Sequence, residues 1–424
     1  MNSDFRVQKF EVVVPTGVSV LTVKIPTPVE SSKTRVMLGS AAFDMVPLGW
    51  KVDESPALVS RDTQCLIYVV SSTEIAIIKS PLAMYPALCS FCIMEYVGLP
   101  GGVNEFSVVR SLTLMDGVTQ ADIKTVVGES DDASQKLTSM VTGCIQNEPA
   151  ASGYYRLDLM PKIVQTYNPN VNDRIAHFIT CRDSDSLAKT VSWEVTNWTG
   201  SNWTIVRPPF GEIVASQSDV AAFNVDGTNV VTVGDVGSWS NTFIEAQRTF
   251  DTSAGDGENI ILCFPQTLTT EIRLYARPGH VTTNNGQNAC VFALISNPDI
   301  KVLHYGQFLA ALPSPAPIIN ISTPDRSWDF AFRDDRGSVV IDGPPSSIVP
   351  IFQGIRGSYS NGSDVLSVSY NDDHETVQYR RPFERPGGFN DYLQIVQFGL
   401  EAEEPTALLG SVVNQPRFSV TFEA

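Results

Sequence analysis

In the run Asn371-Asp372-Asp373-His374-Glu375, carboxylates crowd an imidazole, as acid–base chemistry or metal ligation would need. Neighbouring side chains on a strand alternate faces, however, so Asp373 and Glu375 point together while Asp372 and His374 point away. A solvated turn entering a strand accounts for the run without any chemistry. His177, His280 and His304 lie on other segments. Cys89 and Cys92 form the one Cys-x-x-Cys spacing, but two further ligands at zinc spacing do not follow, and residues three apart on a strand face opposite sides. The chain carries no GxSxG, HExxH, GxxxxGK or GxGxxG motif. No catalytic, cofactor-binding or metal-ligating residue is assigned, and the reading is that of a non-enzyme.

Aromatic residues offer binding rather than reaction. Trp193, Trp198 and Trp203 form the densest group. Trp203 could present a flat ring to sugars or peptides, or pack at a junction between repeats. Phe418, Val420 and Phe422 alternate near the C-terminus and, with Trp203, make up the expected interaction surface.

The formal charge of −17, from 46 acidic and 29 basic residues, argues against a phosphate-binding surface, so no nucleic-acid partner is expected. A hydrophobic fraction of 43% with 18% charged residues is that of a folded chain. No apolar run approaches the ~20 residues that span a bilayer, and no signal peptide is visible, so cytoplasmic synthesis without membrane insertion is expected. Seven cysteines, at positions the repeats do not share, read mostly as small buried hydrophobes. Sequons at Asn197, Asn202, Asn320 and Asn361 are assigned no role.

The elements that must position these residues recur. Cys89–Tyr96, Val191–Trp198, Cys290–Ser296 and Asp391–Phe398 are four similar strand-like segments, aligned on Phe91, Trp193, Val291 and Leu393 at intervals of about one hundred residues. Each precedes an opening segment, at Ser107, Thr204, Lys301 and Ala407, and the chain begins with another at Val7. Segments led by Glu74, Glu271 and Glu375 come before three of the closing segments, with a poor match, Asn172–Arg182, in the second. A repeated Glu375 is a structural position rather than a catalytic one.

Period-two alternation, frequent β-branched residues and turns such as Asn284-Asn285-Gly286 predict an all-β chain. Asp131–Val141 is the best helical candidate and reads equally well as loop and strand. The expected architecture is four tandem antiparallel β-sandwich domains of about 100 residues: 1–103, 104–200, 201–299 and 300–424, the last with a C-terminal hairpin. Barrels are the alternative. Short joints predict a semi-rigid rod, most flexible at Gly101-Gly102. The terminal hairpin either completes the fourth sandwich, the favoured reading, or pairs with a neighbouring subunit.

The pairs Val7-Gln8, Val109-Arg110, Val206-Arg207 and Leu303-His304, the closing strands and the opening Val14–Ser40 segment together resemble the tandem β-sandwich virion proteins of tailed bacteriophages. The later units lack the first unit's Ser31–Leu38 pattern. The resemblance implies a structural virion component of capsid decoration, neck, collar or tail. Its partners would be other virion proteins and further copies of itself, assembled in host cytoplasm. The competing reading is a host-recognition or adhesion module using loops such as Gly279–Asn288 or Arg381–Asn390.

Overall fold

The structure is a computed structural model. It describes residues 4–43, 65–81, 83, 87–116, 120–122, 136–147, 162–168, 174–180, 188–206, 213–215, 228–232, 238–249, 262–265, 271–275, 288–310, 335–340, 348–353, 367–370, 376–381 and 389–399. Alternating, β-branched sequence gives strands almost throughout. The first segment holds β1 (Phe5–Val14), β2 (Val20–Lys24), β3 (Thr34–Phe43), β4 (Cys65–Val69), β5 (Glu74–Lys79) and β6 (Ala87–Tyr96). The second holds β7 (Ser107–Met115), β8 (Gln120–Asp122), β9 (Leu137–Gln146), β10 (Lys162–Asn168), β11 (Arg174–Thr180) and β12 (Lys189–Asn197). In the third, the opening strand is split into β13 (Thr204–Val206) and β14 (Ile213–Ala215), followed by β15 (Thr228–Thr232), β16 (Thr242–Thr249), β17 (Leu262–Pro265), β18 (Glu271–Tyr275) and β19 (Asn288–Ser296). The fourth holds β20 (Ile300–Ala310), β21 (Asp335–Val340), β22 (Ile348–Gln353), β23 (Ser367–Tyr370), β24 (Thr376–Arg381) and β25 (Phe389–Phe398). Short 3-10 turns at Ser31–Lys33 and Trp239–Asn241 lead into β3 and β16. Among the described residues no helix is long and apolar enough to cross a membrane.

One pairing scheme recurs. The closing strand of each segment lies between its opening strand and a middle strand, as in β1-β6-β3, β7-β12-β9 and β20-β25-β22; in the third segment β19 takes β13 and β14 on one side and β16 on the other. The remaining strands form β2-β5-β4, β8-β11-β10, β15-β18-β17 and β21-β24-β23. Every pairing is antiparallel, which establishes the all-β class. The ambiguous stretch from Asp131 resolves into β9 from Leu137 onward. Residues 400–424, including the C-terminal hairpin segment, lie outside the described residues.

Strand register corrects the alignment of the third copy by one residue. Phe5 pairs with Tyr96 and Ile300 with Phe398, while Ser107 pairs with Asn197 and Thr204 with Ser296. Phe5, Phe106, Trp203 and Ile300 are therefore equivalent, and so are Tyr96, Trp198, Asn297 and Phe398. Five residues back, Phe292 rather than Val291 corresponds to Phe91, Trp193 and Leu393.

The two faces of the first closing sheet bury different things. Phe10, Val12, Cys89, Phe91 and Ile93 face β2-β5-β4, whose Ile67, Val69, Ile75 and Ile77 complete one apolar core. Phe10 and Phe91, cross-strand partners, stack there with ring centroids 4.9 Å apart. The opposite face, with Phe5, Val7, Met37, Met94 and Tyr96, enters a second core shared with Phe106 and Trp198, with Trp203, Phe243 and Ile295, and with Val349, Val396 and Phe398. One interior thus draws on all four segments. Contacts run from β4 to β9, from β10 to β16, from β16 to β20 and from β22 back to β3. The segments close into a ring rather than the expected rod, because apolar residues from all four closing sheets are buried in one shared core.

The ring also covers strand edges that would otherwise expose backbone groups. On β4, the Ile67 carbonyl accepts hydroxyl hydrogen bonds from Thr142 (3.3 Å) and Ser192 (3.2 Å). This approach needs Gly143, next to a bulge in β9: a Cβ there would lie 2.7 Å from Leu66 Cα and against the Cys65 carbonyl. Gly143→Ala is expected to lose roughly 1–3 kcal/mol of stability by overpacking this contact. Urea unfolding monitored by tryptophan fluorescence checks this, and an unchanged midpoint would contradict the contact.

Candidate functional site

The opening and closing strands meet at their ends, so the joints between segments gather at one place. Four residues stand one to three positions before the four opening strands there: Asp4, Asn104, Asn202 and Asp299. Asn104 is buried and central. Its Nδ2 donates to Asp4 Oδ2 (3.0 Å) and Asp299 Oδ2 (2.7 Å). Its Oδ1 accepts from Asn202 Nδ2 (3.0 Å) and Asn297 Nδ2 (3.1 Å). Asn202 Nδ2 also reaches Asp299 Oδ2 at 3.1 Å. Both carboxylates are thus held by amide donors. Among the described residues no three His, Cys, Asp or Glu side chains gather as metal ligands would.

The first joint is the reverse of a loose hinge. Gly200 N donates to Glu105 O (2.8 Å), Asn202 N to Val103 O (2.9 Å) and Gly101 N to Glu105 Oε2 (2.9 Å). Tyr96 Oη donates to Leu99 O at 2.6 Å, folding the loop over its ring. Gly101-Gly102 therefore sits in a hydrogen-bonded turn laid against the second joint.

Beneath the polar cap lies a closed circuit of rings. Phe5 meets Trp203 (5.8 Å), Trp203 meets Trp198 (4.4 Å), Trp198 meets Phe243 (6.5 Å), Phe243 meets Phe398 (5.6 Å) and Phe398 returns to Phe5 (5.8 Å). Trp203 is fully buried, with Nε1 donating to Asn104 O at 3.0 Å. The surface role expected for Trp203 is corrected: its ring packs at the junction, because it occupies the same opening position as Phe5. Phe418, Val420 and Phe422 lie outside the described residues, as do Asp372, Asp373, His374 and Glu375. His177 and His304 fall in β11 and β20. Cys89 and Cys92 take opposite faces of β6, Cys89 in the first segment's own core and Cys92 in the shared one.

Below the rings, charges are buried between segments. Arg35 of β3 pairs with Glu245 of β16, and its guanidinium carbon lies 4.8 Å from the centre of the Trp198 ring. Burial pushes the Glu245 carboxyl above the usual range, with Glu194 adding to the rise, while Arg35 and a hydrogen bond with Thr138 oppose it. Arg35 Nε and Nη1 and Glu245 Oε2 find no hydrogen-bond partner among the described residues. A second pair covers the edge of β3. Arg110 Nε donates to Glu194 Oε1 (2.9 Å), and Glu194 Oε2 accepts from Val36 N (2.9 Å). The Arg110 guanidinium also donates to Ser31 O at 2.7 Å and to Thr34 O. These pairs fix one segment against another; the sequence signal for the polar cap above them is an Asp or Asn one to three residues before each opening strand.

Comparison with family models, with curated proteins and with solved structures finds no match to this chain. The site therefore stands on its own geometry.

Two predictions follow from the buried charges. Arg35→Met or Glu245→Leu alone should cost about 3–5 kcal/mol by stranding the partner charge, whereas the double variant should be close to neutral. Equilibrium denaturation of the three variants tests this, and additive losses would contradict it. Lys9 lies opposite Cys92, and burial pulls its ammonium from 10.5 down to about 8, with Cys92 opposing. The unfolded chain holds that proton more tightly. The stability from this group is therefore whole above its ordinary value of 10.5 and is lost as pH falls through about 8. Stability measured against pH should show the Lys9→Met variant gaining on the wild type across that window; a constant difference would contradict the assignment.

Proposed function

We propose that this chain is a non-enzymatic structural protein of a virus particle, built of four tandem β-sandwiches and acting through protein–protein assembly in a capsid decoration, neck, collar or tail. The observation that carries the reading is the recurrence of one strand-pairing scheme in four segments whose joints interlock. The described interior is given over to packing: rings, apolar strands and ion pairs hold segment to segment, and the centrally gathered carboxylates are occupied by amide donors. Such a unit suits a component whose work is to hold shape.

Surface features agree with assembly. The first joint exposes Val97, Leu99 and Val103, with Leu99 82% exposed, an uncommon display of large apolar side chains on one loop. Phe418, Val420 and Phe422 alternate along the sequence beyond the fourth closing strand, a pattern that suits strand addition either within the fourth segment or to a neighbouring subunit.

Purified particles should contain the chain at a fixed, stoichiometric copy number by quantitative mass spectrometry, and negative-stain images should show it as a regular feature. Leu99→Asp should leave the thermal midpoint unchanged and reduce incorporation at least several-fold. Absence from particles, together with glycan binding by a monomeric chain, would overturn the proposal in favour of a recognition module.

A further inference from the structure

The first segment's core contains two thiols on facing sheets. Cys65 opens β4, the outer strand of β2-β5-β4, and remains partly accessible. Cys89 lies in β6, the central strand of the facing sheet, and is fully buried. Both belong to the apolar core between the two sheets, and their side chains hydrogen-bond to each other across it. Cys65 is also the cross-strand partner of Lys79, so both side chains project from the same face of their sheet. Lys79 is buried there, donates to Pro15 O at 3.2 Å, and is close enough to Cys89 for its positive charge to favour the thiolate.

We propose that Cys65 and Cys89 form a redox-active dithiol that closes to a disulfide and fastens the two sheets of the first segment together. The co-reactant is a small-molecule disulfide. The Cys65 thiolate, the accessible one, attacks a sulfur of the reagent; the reagent's S–S bond breaks, one thiolate leaves, and a mixed disulfide remains on Cys65. Cys89 then loses its proton to solvent and attacks the Cys65 sulfur, releasing the second reagent thiolate. Two protein thiols are oxidised to one disulfide, and one reagent disulfide is reduced to two thiols.

Cys89 itself is held against ionisation. The hydrogen bond with Cys65 and then burial push its thiol well above the ordinary value, and Lys79 works the other way. The first step therefore belongs to Cys65, and closure is slower than capture. Cys92, on the opposite face of β6 and pushed up to about 11 by burial, is placed away from this exchange. The pair stays reduced in a cytoplasm with a glutathione pool and closes once the chain meets an oxidising medium.

The test treats the full-length native chain with oxidised glutathione, quenches with acid and maps peptides by mass spectrometry. The expected result is a peptide joining residues 65 and 89, the loss of two hydrogen masses, and a rise of a few degrees in Tm that a reductant reverses. In Cys89→Ser the glutathione adduct should persist on Cys65. A persistent adduct on Cys65 of the wild-type chain, or cross-linking of other cysteines in place of this pair, would overturn the proposal. Should Cys89→Ser fail to fold, the time course on the wild-type chain decides: the Cys65 adduct must appear first and decay as the cross-linked peptide grows.

Discussion

Four opening ends can meet at one point only if their polar groups satisfy one another, and the Asn104 side chain makes that possible. A carboxamide has two N–H donors and one carbonyl acceptor. Here the donors serve Asp4 and Asp299, and the acceptor takes Asn202 and Asn297. A carboxylate at 104 would set a third acid against two others without a donor among them; a lysine would supply donors and nothing for Asn202 or Asn297 to reach. The ring circuit beneath is tied to the same residue, since Trp203 donates to the backbone carbonyl of Asn104 and Phe5 follows Asp4 directly.

The second constraint is that the first closing sheet is buried on both faces. A two-layer sandwich needs one apolar face per sheet, and the other normally meets water. Here the second face of β1-β6-β3 is apolar near the hub and charged farther along, where Arg35 crosses to Glu245. Burial of that kind is costly for an ion pair with incomplete hydrogen bonding, so Arg35–Glu245 serves to fix which segments meet more than to add stability. Arg110 and Glu194 act differently: their hydrogen bonds are spent on the backbone edge of β3, which closes that edge to strand addition.

Much of the strand pattern was legible in the sequence, because period-two alternation and β-branching act locally. The closing segments around Phe91, Trp193 and Leu393 and the opening segments at Val7 and Ser107 are strands, and even the poorly matching stretch beyond Asn172 yields β11. The ring was not legible. Nothing in Val97–Phe106 says whether the next segment continues outward or turns back; that is decided by long-range contacts of Asn104, Gly200 and Asn202. The mixed face of β7, with Val108, Arg110 and Leu112 together, looked ambiguous because Arg110 serves another segment's edge rather than its own core. Trp203 was hard to place for a similar reason. The third copy carries Asn297 where the others carry Tyr96, Trp198 or Phe398, so identity alone drew the alignment one residue off.

Phe5 and Phe398 touch across the place where the ring closes, and β22 and β23 pack against β3. Three neighbouring pairs of segments are joined by peptide bonds as well as by packing; among the described residues the first and fourth are joined by packing. The molecule is thus a split washer. Among the described residues no sheet is shared across that seam, so parting it breaks packing and leaves every strand ladder intact.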